Sequence, residues 1–378
     1  MILFLLSFFL LYGGIHLFFY VRLKAAFQLT PWIQAAVVLC LLVLLISPIL
    51  VRLSERQGYE GAACFLSYLG YSWMGVVFLF FVASLCLDFY RLAVLLNSRI
   101  GGMDLHHLYP SALILFLAPL LIAVTVNIYG YFEAINIRTE HLIIKSAKIP
   151  KNIEKLRIVQ ISDVHVGMIV REGRLERMMA AVKKAAPDIL VSTGDLVDGQ
   201  IDNIHGSLPL LKGIQAKYGK YAVTGNHEFY AGLDQALDFT RMAGFTVLRG
   251  EGINIAGMIN IAGVDDPAGK RTGRYRGIQE SKIVADLPKH TYTLLLKHQP
   301  IIDPEALGAF DLQLSGHTHK GQIFPFSMVT GLVFPLQSGS FNLPGGSRLY
   351  VSRGAGTWGP PVRFLSPPEI TILDLIPE

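Results

Sequence analysis

Leu156-Arg157-Ile158-Val159-Gln160-Ile161-Ser162-Asp163-Val164-His165 decides the fold of the second part of the chain. A short β-branched run leads straight into an Asp and a His two positions apart, and residues two apart in extended backbone share a face. The pattern recurs. Gly194-Asp195-Leu196-Val197-Asp198-Gly199, Gly225-Asn226-His227-Glu228 and Gly316-His317-Thr318-His319 each follow an apolar, strand-like run. Together they supply carboxylates, an amide and imidazoles, the donors that hold divalent first-row metals. Asp163 and His165 can share one ion, and the two oxygens of Asp195 suit a bridge between two.

Between these strings the spacing changes to that of helices. Glu172 to Ala186 places Leu175, Met178, Met179 and Val182 on one face, and Pro187 ends it. Leu208 to Ala216 and Leu233 to Ala243 are the next two predicted helices. They alternate with strands at Leu156–Ile161, 188–193 and 220–224, which predicts parallel strands covered by helices, with ligands at the strand ends. Beyond Gly252 the strands are expected at 254–263, 292–297, 311–315, 322–326, 348–352 and 369–373, in a second, more antiparallel sheet.

The first third of the 378 residues is different material. Ile2 to Val21, Trp32 to Val51, Trp73 to Val94 and Tyr109 to Tyr129 are almost free of charge, and each approaches the ~20 apolar residues that span a bilayer. Four transmembrane helices are predicted, with aromatic residues such as Trp32 and Trp73 at their ends. The first span lacks a basic start and a cleavage site before Arg22 and Lys24, so it is expected to be retained. The chain thus divides into a membrane domain (1–133), a linker with a first edge strand (134–155) and a catalytic domain (156–378). An integral, multi-pass protein of the cell inner membrane is expected. Arg22, Lys24, Arg91 and Arg99 favour an extracytoplasmic catalytic domain, and Arg52, Arg56 and Arg138 oppose it.

Composition excludes little else. Cys40, Cys64 and Cys86 all lie in the membrane part and set no redox compartment. The net charge of +5 is scattered, without a basic run or interleaved aromatics, so nucleic acid is not the expected partner.

The ordered strings resemble those of the calcineurin-like metallophosphoesterase family, whose pattern runs D-x-H, G-D-x-x-D, G-N-H-[DE], a later single His and G-H-x-H. Here it reads Asp163/His165, Asp195/Asp198, Asn226/His227/Glu228, His298 and His317/His319, over about Leu156 to Leu375. The resemblance implies an α/β fold, a four-layer α-β-β-α sandwich of two mixed sheets. It implies a first ion on Asp163, His165 and His319, a second on Asn226, His298 and His317, and Asp195 bridging. His227 would face the substrate, with Asp198 orienting its imidazole and Glu228 supporting the loop. The two divalent ions would be Mn, Fe, Zn or Mg, with Mn favoured, and a bridging hydroxide would attack a phosphate ester.

Gly199 stands where the protein-phosphatase branch of the family carries Arg, which argues against protein dephosphorylation. The late string and the tail Tyr350-Val351-Ser352-Arg353-Gly354 are closer to a small, membrane-associated bacterial branch. A phosphodiester or monoester substrate is favoured, lipid-linked in one version. A pyrophosphatase acting on a lipid-linked nucleotide such as UDP-2,3-diacylglucosamine, and a non-catalytic metal-binding module, are the alternatives. The oligomeric state stays open. Arg353 and Arg363 have two readings, phosphate contact or solvated turn, and Asp265 and Asp266 are expected to form a turn with Pro267.

Overall fold

The computed structural model describes residues 2–199 and 205–378. The chain forms two compact units, one reaching to Phe132 and including Gly359–Val362, the other Glu133–Trp358 with Arg363–Glu378.

The first unit is built from four helices, α1 (Ile2–Ala26), α2 (Pro31–Arg56), α3 (Glu60–Gly101) and α4 (Ala112–Ile135). All four are long and apolar enough to cross a membrane. A helix satisfies its backbone polar groups internally, which is what a spanning segment requires. Large side chains point outward: Leu10 is 77% and Trp32 87% exposed, as in a surface meant for lipid. Inward, Phe19, Phe80 and Phe116 pack edge to face with ring centroids 4.8 to 5.5 Å apart. Trp73 Nε1 donates to His16 Nε2 at 2.9 Å, and Arg22 pairs with Asp88, so buried polar groups find partners on neighbouring helices. The apolar stretch at Trp73 is one part of a helix of 42 residues.

The second unit opens with β1 (Arg138–Lys145) and β2 (Leu156–Ile161), followed by α5 (Glu172–Ala185), β3 (Ile189–Ser192), α6 (Leu208–Lys212), β4 (Lys220–Ala222), α7 (Asn226–Ala231), α8 (Leu233–Met242) and β5 (Thr246–Val247). It continues through β6 (Glu251–Ile255), β7 (Ile259–Gly263), α9 (Gly269–Thr272), α10 (Glu280–Ala285), β8 (Tyr292–Leu296) and β9 (Leu312–Ser315). It closes with α11 (Phe326–Val333), β10 (Gly339–Asn342), β11 (Arg348–Val351) and β12 (Glu369–Ile376). The strands make two mixed six-stranded sheets, ordered β1-β12-β2-β3-β4-β5 and β10-β11-β9-β8-β7-β6.

Alternation explains how the sheets meet. Leu156 and Ile158 of β2 and Ile189 and Val191 of β3 share one buried core with Ile259 and Ile261 of β7, Leu294 and Leu296 of β8, and Leu312 and Leu314 of β9. Each such side chain contributes roughly 1.5–3 kcal/mol by leaving water. Residues of opposite parity face out: Leu295 and Ala262 pack on Ile283, Val284 and Leu287 in and just after α10. Helices covering the outer faces complete the sandwich.

Two sequence expectations need correction. The strand expected at 254–263 is a hairpin, because Ala256 and Gly257 both adopt positive φ (49° and 72°) and turn the chain back. The segment 322–326 is not a strand; Ile323 makes an isolated bridge to Phe364, and α11 begins at Phe326. The second sheet is the more antiparallel, as expected, with two antiparallel pairs against one in the first, both at its edges, while its centre, β11-β9-β8-β7, is parallel.

Candidate metal centre

β2, β3 and β4 run parallel, so their carboxyl ends open on one side and deliver Asp163, Asp195 and Asn226 together. β8 and β9 deliver His298 and the His317–His319 loop. Three overlapping groups of side chains result, each with ligand atoms close enough to hold an ion: Asp163/His165/His319, His165/Asp195/His227 and Asp195/His298/His317. All the sequence-predicted residues meet in this one place. Asn226 Oδ1 lies 3.2 Å from His298 Nε2.

One oxygen sits between the two outer groups. Asp195 Oδ2 is 3.2 Å from His298 Nε2 and 3.8 Å from His165 Nε2. Asp195 Oδ1 is occupied differently, accepting the backbone N–H of His227 at 2.8 Å. His319 Nε2 lies 3.4 Å from Asp163 Oδ1 and 3.0 Å from His165 Nε2, while His317 Nδ1 is 3.1 Å from His298 Nε2. Ring nitrogens aimed at each other in this way are the arrangement of donors converging on cations, and His165 Nδ1, on the far side of its ring, lies 3.6 Å from Asp198 Oδ1. The donor set fits two divalent ions.

Charge divides the donors: burial raises the Asp163 carboxyl above its ordinary value and the Asp195 carboxylate raises His298, so with no cation present these two hold protons, whereas His317 and His319 do not. Burial, the nearby Arg363 guanidinium and His165 hold the His319 imidazole well below its ordinary pKa, and burial with His298 pushes His317 down to about 3. Both are therefore neutral, the form that ligates. Burial pulls His298 down too, but the Asp195 carboxylate outweighs it and lifts this imidazole well above its ordinary value. For Asp195, burial is outweighed by His298 and His227, which hold it well below the usual carboxylate range. Asp195 thus remains an anion inside the protein, where it attracts positive charge strongly.

His227 is buried at the rim of the cluster, beside the exposed Tyr230 and Trp358. Its Nδ1 meets the Asp198 carbonyl oxygen and lies 3.3 Å from Asp198 Oδ1, which leaves Nε2 directed away from the Asp198 side. Burial lowers its pKa, but Asp195 and Asp198 more than offset this and raise it to about 9. Glu228 binds backbone: its carboxylate accepts from the N–H groups of Gly225, Asp195 and Leu196 at 2.6, 3.0 and 2.8 Å. It ties the second motif to the third.

The turns are tight in a way spacing did not reveal. Gly194 has positive φ (96°), but Gly225 does not, and Gly316 is required for close approach: a Cβ there would lie 2.2 Å from Asp163 Oδ2. Positive φ falls as well on the candidate ligands Asp163, His165, Asp195, His317 and His319, from 46° to 71°. Residues held so cost on the order of 1–3 kcal/mol each and persist where the surroundings over-determine them.

Arg363 and Arg353 follow neither sequence reading. Arg363 is fully buried, donating to the Gly354, Gly356 and Ser366 carbonyls and lying 3.0 Å from His319 Nδ1, so it props the last ligand loop. Arg353 pairs with Glu140 and Glu369. Asp266 does make the expected turn, accepting the Ala268 N–H at 2.7 Å, whereas Asp265 is buried against Arg249. Three residues were missed: Tyr230 and Trp358, whose rings lie 5.6 and 6.0 Å from that of His227, and Arg271, which donates to Tyr230 Oη at 2.6 Å. The only sequence signal was the cationic string Lys270-Arg271-Thr272-Gly273-Arg274.

A family model described as calcineurin-like phosphoesterase matches residues 156–321. A metallophosphoesterase of Aquifex aeolicus is 42% identical over 255 residues, 67% of this chain and 97% of the relative. One from Campylobacter jejuni is 33% identical over 319 residues, 82% of this chain and 83% of the relative. A transmembrane protein with metallophosphoesterase domain from Danio rerio is 30% identical over 265 residues, 67% of this chain and 60% of that protein. Fold, donor set and relatives define a metal-dependent phosphoesterase associated with a membrane. The chain belongs to the calcineurin-like metallophosphoesterase family.

Proposed function

We propose that this protein is a membrane-anchored, dinuclear phosphoesterase that hydrolyses a phosphodiester or phosphomonoester. The observation that carries this is the position of Asp195 Oδ2 between the Asp163/His165/His319 and His298/His317/Asn226 groups. In this reading the first group holds one ion, the second another, and Asp195 joins them. The pair, Mn in the favoured case, supplies Lewis acidity toward phosphoryl oxygens and acidifies water at neutral pH.

The protein's own residues do the rest. His227, turned outward by Asp198, gives its Nε2 proton to the departing ester oxygen as water adds to phosphorus and the P–O bond breaks. Glu228 and Arg363 hold the ligand loops in place. Residues 1–133 act as a four-span anchor in the cell inner membrane, 134–155 as linker and edge strand, and 156–378 as the catalytic domain. The basic residues at the connectors favour an extracytoplasmic catalytic domain.

The test is hydrolysis by full-length protein with Mn, using bis-p-nitrophenyl phosphate, p-nitrophenyl phosphate and a UDP-linked lipid, each beside Asp195→Ala. Metal-dependent turnover of either nitrophenyl ester, lost in the variant, is expected. Turnover of the UDP-lipid alone would replace the reading with a pyrophosphatase. Silence on all three with two ions bound would replace it with a metal-binding module.

A further inference from the structure

We propose that Arg271, held by Tyr230 beside His227, is a binding site for a second anionic group on the substrate's leaving portion, so that the preferred substrate is a phosphate ester whose leaving group carries its own negative charge. The proposal rests on the phosphoesterase reading and names the substrate class within it.

Four cations lie within Lys270-Arg271-Thr272-Gly273-Arg274-Tyr275-Arg276, and they are not equivalent. Arg274 pairs with Asp234, and Arg276 approaches Glu251 at 4.0 Å. Lys270 lies over the Tyr275 ring at 5.2 Å. Arg271 has a neutral partner, the Tyr230 hydroxyl, and among the described residues no carboxylate within ion-pair distance. Its guanidinium is 5.8 Å from the Tyr230 ring centroid, and that ring is in turn 5.6 Å from His227.

Tyr230 follows His227 by three positions on α7, so the two side chains emerge on one face of the turn, and Arg271 comes from α9 beside it. The Tyr230 hydroxyl accepts from Nη2 alone, which leaves the other guanidinium donors open. Asp266 is turned to the Ala268 N–H and Gln299 Nε2. Trp358, whose ring also neighbours His227, is held through its backbone, donating to Gln322 Oε1 and accepting from Gln322 Nε2 at 2.9 and 3.0 Å. A leaving group that departs past His227 on the Tyr230 side would meet a cation with no carboxylate partner among the described residues. An anion on a spacer about one aromatic ring long meets the guanidinium's paired donors there.

The experiment is calorimetric binding of phenylphosphonate and 4-carboxyphenylphosphonate, which cannot be hydrolysed, to full-length protein loaded with Mn. The carboxylated analogue should bind about twofold to fivefold tighter, the range of an exposed charge pair such as the exposed Arg271 can make. Arg271→Met should erase that ratio, and Arg271→Lys and Tyr230→Phe should retain part of it. Equal affinities in the unaltered protein, or a ratio that survives Arg271→Met, overturn the inference and leave the phosphoesterase reading intact. Binding of neither analogue by metal-loaded protein overturns both.

Discussion

The two units of this chain solve burial against opposite solvents. In the second, Ile158, Leu294 and Leu314 have no exposed surface and water provides the driving force. In the first, leucines such as Leu39, 65% exposed, line the outside of α2, and stability depends on a surrounding that is itself apolar. The same residue type thus carries opposite information in the two regions. What distinguishes them is continuity: charge-free runs of some twenty residues in one, alternation punctuated by Asp, Asn and His in the other.

The sharpest test of that division separates the metal centre from the rest. Asp195→Ala should leave no metal above background and turnover reduced by at least about a thousandfold, while fractionation with membranes stays unchanged. His227→Ala should keep both ions and lose about 10²–10⁴ in turnover; elemental analysis beside activity decides, and a metal-free His227→Ala protein would sink its assignment to the rim. Next comes the buried pair of Arg249 and Asp265, joined by two contacts of 2.7 and 2.8 Å. Arg249→Met strands the carboxylate and should cost about 3–5 kcal/mol, read as earlier thermal loss of activity.

A matched substitution breaks the comparison directly. Leu39→Lys, outward on α2, should cost about 2.5–3.5 kcal/mol in an insertion assay, whereas Leu332→Lys, on α11 and 85% exposed, should shift thermal stability by no more than about 0.5 kcal/mol. Equal penalties would mean that α11 also faces an apolar medium.

A small effect also belongs to Asp374, which accepts two bonds of 2.7 Å from Arg157 across β2 and β12. The Arg157 hydrogen bonds hold this carboxyl below its ordinary pKa. A depressed folded-state pKa contributes stability above the ordinary carboxylate range, and that stability is lost as pH falls through the depressed value. Asp374→Asn should therefore cost about 0.2–1 kcal/mol near neutral pH and progressively less toward acid, measured by denaturant unfolding at several pH values.

Much of the architecture was legible because local chemistry and global fold agree. The strand before Asp163 and the helix over Leu175 to Val182 needed only periodicity and a proline stop. The hairpin at Ala256 was hidden because Asn254 to Gly263 keeps its alternation through the turn, and only Gly257 marks the break. At 322–326 a strand-like run is interrupted by Pro325, which cannot donate to a ladder, and α11 takes over. The candidate ligands were legible as a set through their order, and the structure brings their side chains together. Arg271 beside Tyr230 was not, since nothing in either string records that α9 packs next to α7, and the structural work of Arg363 is visible only once its carbonyl partners are assembled around it.

The left-handed backbone at Asp163, His165, Asp195, His317 and His319 sets stability and chemistry against each other at the same positions. Glycine or asparagine at any of them would relax the chain and remove part of a crowded, charged interior. A library of variants selected for heat resistance alone should discard these five residues first, and selection for turnover should restore them, so the two pressures would sort the chain's future along its metal loops.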